Sequence, residues 1–178
     1  TGLFYDPVLP SEKLLILGGG HIGLALSNFV KDLGFRVTIG DFRAEIADPK
    51  RFSEDVQSIH APFAKIIEEY EFNPSTYVVV SGPSHTSDFE CVKRLLHKEY
   101  KYLGCVGSRN KITMLHELLK EEGFNKEKIE SIYAPIGVDI NAETPKEIAV
   151  SILSELIAVR RDAPLLQQLS MKLEKPKK

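Results

Sequence analysis

The stretch Leu14–Gly23, LLILGGGHIG, decides the fold class. Four apolar residues, Leu14–Leu17, read as a short buried strand, and Gly18, Gly20 and Gly23 follow in the spacing G-x-G-x-x-G. Ile22, Leu26, Phe29, Val30 and Leu33 then recur at helical spacing, and Gly34 stands where a helix would close. A strand that turns through glycines into an amphipathic helix is the setting in which this spacing signifies a dinucleotide turn. Gly18 permits the tight turn, Gly20 lets a pyrophosphate approach the backbone, and Gly23 lets the helix pack closely. The free N–H groups and the dipole at the helix start favour an anion there. The expected phosphate-binding segment is therefore Gly18, Gly20, His21, Ile22 and Gly23.

A second strand, Arg36–Ile39, leads to Asp41, which lies 18 residues after Gly23. A carboxylate at that point can accept hydrogen bonds from ribose hydroxyls and repels a 2′-phosphate, so it favours NAD over NADP. Arg43 works the other way, because a nearby arginine can take a 2′-phosphate. His21 sits among the glycines and reads as solvent-facing. A proton carrier there is the sharper reading, since histidine titrates near neutrality.

The pattern continues along the chain. Val56–Ile59, Thr76–Val80 and Tyr102–Val106 read as strands, and Ile129–Tyr133 as a weak one. Phe63–Tyr70, Ser87–Glu99 and Lys111–Glu122 read as helices, the last capped by Ser108 and closed by Gly123. Thr144, Pro145 and Glu147 mark the start of a final helix that runs to about Arg160. Alternating strands and helices predict a doubly wound α/β fold, Rossmann-like, with a mostly parallel sheet over residues 13–162. Residues 1–12 read as an arm and residues 163–178 as a tail. The last helix carries Ile148, Ala149, Ile152, Leu153, Leu156, Ile157 and Val159 on more than one stripe. Such a helix is buried on two sides, within the core or in a dimer.

Bulk properties narrow the function classes. The chain has 178 residues, 43% hydrophobic and 27% charged, a globular balance. A net charge of -2 gives no electrostatic case for nucleic acid. No apolar run reaches the roughly 18 residues of a membrane span, and no leader pattern opens the sequence, so a cytoplasmic protein is expected. Cys91 and Cys105, fourteen apart, match no zinc or redox spacing and read as buried thiols. No metal site is expected.

Ligands of open α/β sheets sit beyond the carboxyl ends of the strands. His85 and Asp88 follow Val80. Ser108, Arg109 and Lys111 follow Val106, and Asp139 and Asn141 come near the end. Each has an ordinary reading as a cap, a turn or a solvated charge. Their concentration at strand ends favours a site, with His85, Asp88 and Lys111 as candidates for chemistry and Ser108–Arg109 as an anion-binding turn. No G-x-S-x-G elbow and no H-E-x-x-H motif is present.

Taken in order, GGGHIGLAL, LGFRVTIGDFR, RF (Arg51 and Phe52), YVVV, HTSD, YLGCVGSRNK and PIGVDINAETPKEIAVSILSELIA resemble the Rossmann domain of the XdhC/CoxI family, from about Leu14 to Arg160. The resemblance implies an accessory protein that assists sulfuration of the molybdenum cofactor, or its insertion into a molybdenum hydroxylase apo-enzyme such as xanthine dehydrogenase. It implies NAD as ligand, NADP less so, and the molybdenum cofactor as cargo. Two departures matter. Ser81, Gly82 and Pro83 stand where the family often has methionine, threonine and histidine, so of two histidines His85 alone remains. The preceding domain of longer members, with its Gly-Gly-Cys motif, has no counterpart here, which leaves a stand-alone relative or a fragment. Two alternatives stay open: an NAD-dependent oxidoreductase using His21, His85 or Lys111, and an NAD-sensing regulatory module. A homodimer is expected.

Overall fold

A computed structural model describes residues 12–163. The arm and tail expected at residues 1–12 and 163–178 therefore lie almost wholly outside the described residues. Five strands, β1 (Lys13–Leu17), β2 (Arg36–Asp41), β3 (Gln57–His60), β4 (Thr76–Val80) and β5 (Tyr102–Cys105), form one sheet in the order β3-β2-β1-β4-β5. Every pairing is parallel. The chain therefore winds outward from β1 in two directions, and the reversal lies between β1 and β4. That gap is the topological switch point, where doubly wound sheets bind ligands.

Among the described residues six α-helices cover the sheet: α1 (His21–Val30), α2 (Phe63–Glu69), α3 (His85–Leu95), α4 (Arg109–Glu121), α5 (Lys126–Ser131) and α6 (Pro145–Arg160). Alternating strand residues face opposite layers. Leu15, Leu17, Val78, Val80, Leu103 and Cys105 pack with α2, α3 and α4. Leu14, Ile16, Val37, Ile39, Val79 and Tyr102 pack with α1 and α6. Strands β1 and β4 are apolar on both faces because both are covered, as parallel sheets require. Truncating a side chain such as Leu26, which is wholly buried in the second layer, costs about 2–5 kcal/mol.

Several boundaries differ from the sequence reading. The first helix ends at Val30, and residues 31–33 tighten into a 3-10 turn before left-handed Gly34. Ser84, with Ser87 in a capping box, starts α3 two residues earlier than expected, and the helix stops at Leu95. Ile129–Tyr133 is not a strand. Asn125 caps α5 there, and only Tyr133 reaches the sheet, in a single bridge to Gly104. The β-branched and aromatic residues of that run are too few to outweigh the cap and the charged residues before them.

The last helix resolves its two stripes in part. Ala149, Ile152, Leu156 and Val159 are buried in the layer shared with α1, while Val150 and Ile157 remain exposed. Within the buried side lies Glu155. It accepts hydrogen bonds from the Tyr102 hydroxyl (2.6 Å) and the Gly137 N–H (2.9 Å). Ser151 Oγ donates to the Val138 carbonyl at 2.6 Å. Burial first, and Glu155 second, raise Tyr102 well above the ordinary phenol range. No helix among the described residues is long and apolar enough to cross a membrane.

Candidate functional site

The glycine turn leaves the carboxyl end of β1 at the switch point. Gly18 has φ +118°, and a Cβ there would strike the Ser81 carbonyl beyond β4. A Cβ on Gly23 would strike the Gly18 carbonyl, so this glycine lets α1 close down on the turn itself. Gly20 differs, because nothing lies within 4 Å of the place a Cβ would occupy. The turn is open to a ligand at this residue.

The backbone groups of the turn divide in the same way. The Gly18 N–H donates to Gly40 O (2.8 Å) and the Gly19 N–H to Asp41 Oδ2 (3.0 Å). Ser81 Oγ donates to Gly18 O (3.1 Å), and Arg51 Nη1 to Gly19 O (2.9 Å) and to Ile46 O. Gly20 O accepts from Leu24 N at 2.9 Å. Among the described residues no acceptor faces the N–H groups of Gly20, His21, Ile22 and Gly23. Gly20 caps α1 without a side-chain bond, and the first turn holds no acidic residue. Helix starts usually satisfy such donors with a side chain. Here they stand beside the open face of Gly20, with the positive end of the helix dipole.

Asp41 closes β2 and is wholly buried. Besides the Gly19 bond it accepts three from Arg43, from the backbone N (3.0 Å), Nε (2.9 Å) and Nη2 (2.8 Å). Burial alone would push its carboxyl up. The bonds from Arg43 and Gly19 outweigh burial and hold it below the usual carboxylate range. The sequence suggests a carboxylate standing open to ribose hydroxyls, whereas the structure places it under Arg43. The segment after β2 also folds back, with Ile46 and Phe52 against Gly19 and Arg51 bonded to its carbonyl.

The second cluster adjoins the first. Asp88 on α3 is buried; its Oδ1 accepts the Gly82 N–H (2.7 Å) and its Oδ2 pairs with Lys111 Nζ on α4. Lys111 Nζ also donates to the Val106 carbonyl at 3.0 Å. A Cβ on Gly82 would strike Asp88, and one on Gly107 would crowd Lys111. Ser81 and Gly82 thus join the glycine turn to the Asp88–Lys111 pair across the ends of β1, β4 and β5. His85 is exposed at the first position of α3 and borders a small pocket with Phe89, Lys111, Met114 and Leu118.

Other expected residues play smaller parts. The Ser108 hydroxyl caps α4 by accepting the Lys111 N–H. Arg109, Asp139, Asn141 and His21 are exposed. Cys91 and Cys105 are buried and free. Burial raises both thiols, Cys105 to about 12. The sequence reading gives Arg51 and Ser81 no part in the glycine turn and Glu155 none in the core. A lone acid within the apolar stripe of α6 is the one signal that could have found the last of these.

The Rossmann domain model of XdhC matches residues 14–156. The chain belongs to the XdhC family. Curated relatives include the uncharacterized protein YqeB of Escherichia coli strain K12, 31% identical over 153 residues, which are 85% of this chain and 28% of YqeB. A protein of Bacillus subtilis strain 168 named as a probable xanthine dehydrogenase subunit is 29% identical over 161 residues, 90% of this chain and 47% of that protein. The crystal structure of a xanthine dehydrogenase from Bacillus halodurans superposes with a TM-score of 0.76 at 28% identity, covering 88% of this chain and 45% of that one. The chain spans less than half the length of each of these proteins.

Proposed function

We propose that this XdhC-family chain is the nucleotide-binding part of an accessory protein that serves a molybdenum hydroxylase such as xanthine dehydrogenase. It would assist sulfuration or insertion of the molybdenum cofactor. The observation that carries the reading is the set of four N–H groups, Gly20 to Gly23, that meet no acceptor among the described residues and stand beside the open face of Gly20 at the switch point. Such a set binds a phosphate or pyrophosphate. An adenine dinucleotide, NAD or NADP, is the ligand expected there, and the cofactor cargo, itself phosphorylated, presents the same chemistry. The names of the Bacillus relatives support the hydroxylase as partner.

In this reading Gly20, His21, Ile22 and Gly23 hold the anion through their backbone, and Ser81, Asp41 and Arg51 hold the turn. The Asp88–Lys111 pair fixes the neighbouring strand ends. Neither Cys91 nor Cys105 would carry the sulfur, because both thiols are buried and poor in thiolate. A second copy of the chain would cover Val150 and Ile157, seven residues apart on α6.

Calorimetric titration with NAD, NADH and NADP, together with capture of an apo-hydroxylase and of molybdopterin, tests the proposal. Binding of a dinucleotide that is lost in Gly20→Val, with the fold retained, supports it. Failure of every pyrophosphate ligand at millimolar concentration refutes the nucleotide part, and turnover of NAD with a small substrate would favour an oxidoreductase.

A further inference from the structure

A carboxylate offers about four acceptor positions, and at Asp41 four N–H donors occupy them, three from Arg43 and one from Gly19. The group is also wholly buried. A ribose hydroxyl arriving at the turn would find neither a free lone pair nor a path to one. Arg43 is placed differently. A guanidinium carries five N–H donors, and two of them go to Asp41. Among the described residues none accepts from the other three, and the side chain is 31% exposed. Glu45, the other acid whose charge acts on Arg43, makes no ion pair with it.

Asp41 Oδ2 is shared by Gly19 N and Arg43 Nη2, so the guanidinium sits beside the glycine turn. It also lies over the Phe42 ring, 5.6 Å from the centroid. That ring is 44% exposed and is held edge-on by Phe63. The rim that faces the ribose end of a turn-bound nucleotide is therefore cationic and aromatic.

We propose that Arg43 is the selectivity residue of this site and that the ligand it favours carries a phosphate on the ribose, a 2′-phosphorylated adenine dinucleotide over its unphosphorylated counterpart. The inference rests on the nucleotide reading above and reverses the preference that Asp41 alone suggests. The bidentate pair cancels the carboxylate charge that would repel a phosphate, and the remaining guanidinium donors make charge-assisted bonds to it. Asp41 is a positioning residue, holding Arg43 on one side and the Gly19 N–H on the other.

The test is calorimetric titration of the unmodified chain with NADP and NAD, repeated with Arg43→Ala and Arg43→Gln. NADP should bind at least about tenfold more tightly, the discrimination that charge-assisted hydrogen bonds provide. Both variants should lose most of that ratio by weakening NADP while leaving NAD within about threefold. The wild-type comparison needs no folded variant. Equal affinities, or NAD the tighter, overturn the selectivity while the nucleotide reading stands. A ratio unchanged in both variants overturns the role of Arg43. Absence of binding by either ligand overturns both readings together.

Discussion

Replacing Lys111 by methionine separates structure from chemistry in the second cluster. Methionine keeps an unbranched apolar stem and removes the ammonium. Asp88, with 1% of its side chain exposed, would then keep the Gly82 N–H alone, and the Val106 carbonyl would lose a donor. Breaking a fully buried ion pair costs about 3–5 kcal/mol. The Lys111 side chain is 16% exposed, so water reaches part of the gap and the lower end, about 3 kcal/mol, is expected. For a domain of this size that lowers the melting temperature by about 6–12 °C. Asp88→Asn keeps an acceptor for Gly82 and leaves a lysine that can turn toward solvent, at a cost of about 1–2 kcal/mol. The double variant should be less damaged than the sum of the two by about 2 kcal/mol, because neither charge is then orphaned. Urea unfolding followed by circular dichroism measures all three. A loss below about 1 kcal/mol in Lys111→Met, or strictly additive costs, would refute the view that the pair is a buried tie between α3 and α4.

Three further outcomes are expected. Gly20→Ala should fold, with a loss near 1 kcal/mol at the cap and weakened anion binding. Gly18→Ala and Gly23→Ala should fail to fold, because their Cβ atoms meet carbonyl oxygens; thermal melts beside binding curves distinguish the two classes. The folded-state pKa of Asp41 is depressed, so its contribution to stability is complete above the ordinary carboxylate pKa and is lost as pH falls through the lower folded value. Without Arg43, burial raises that pKa instead, so the acid-unfolding midpoint of Arg43→Ala should lie at higher pH than that of wild type. Cys91 and Cys105 should resist a thiol reagent in the native chain and react together when urea unfolds it.

The part of the fold legible from sequence is the part set by local pattern. Leu14–Leu17, the glycine spacing and the Thr144-Pro145-Glu147 start report on neighbours in the chain, and each lies where the pattern places it. Ile129–Tyr133 misleads because an asparagine cap and charged neighbours outweigh a few strand-forming residues. The site is harder to read for a different reason. Asp41 and Arg43 are two residues apart, yet spacing cannot say whether the arginine lies on the carboxylate or away from it. Arg51 reaches Gly19 over 32 residues and Ser81 reaches Gly18 over 63, contacts that exist only once β1, β2 and β4 lie side by side. Long-range polar contacts of this kind leave no periodic trace.

The buried acid of α6 has a consequence for placement. An apolar stripe is tolerant, because leucine, isoleucine and alanine one turn along would fill much the same layer, and a helix held by such a stripe alone could slide. Glu155 removes that freedom. Its carboxylate is met by the Tyr102 hydroxyl and the Gly137 N–H in one register, and a slip by a turn would leave a charge in the core without either donor. Since α6 lies along α1, and α1 begins at the glycine turn, this peg, with the Ser151–Val138 bond, indexes the helix pair and with it the height of the anion-binding N–H groups above the sheet.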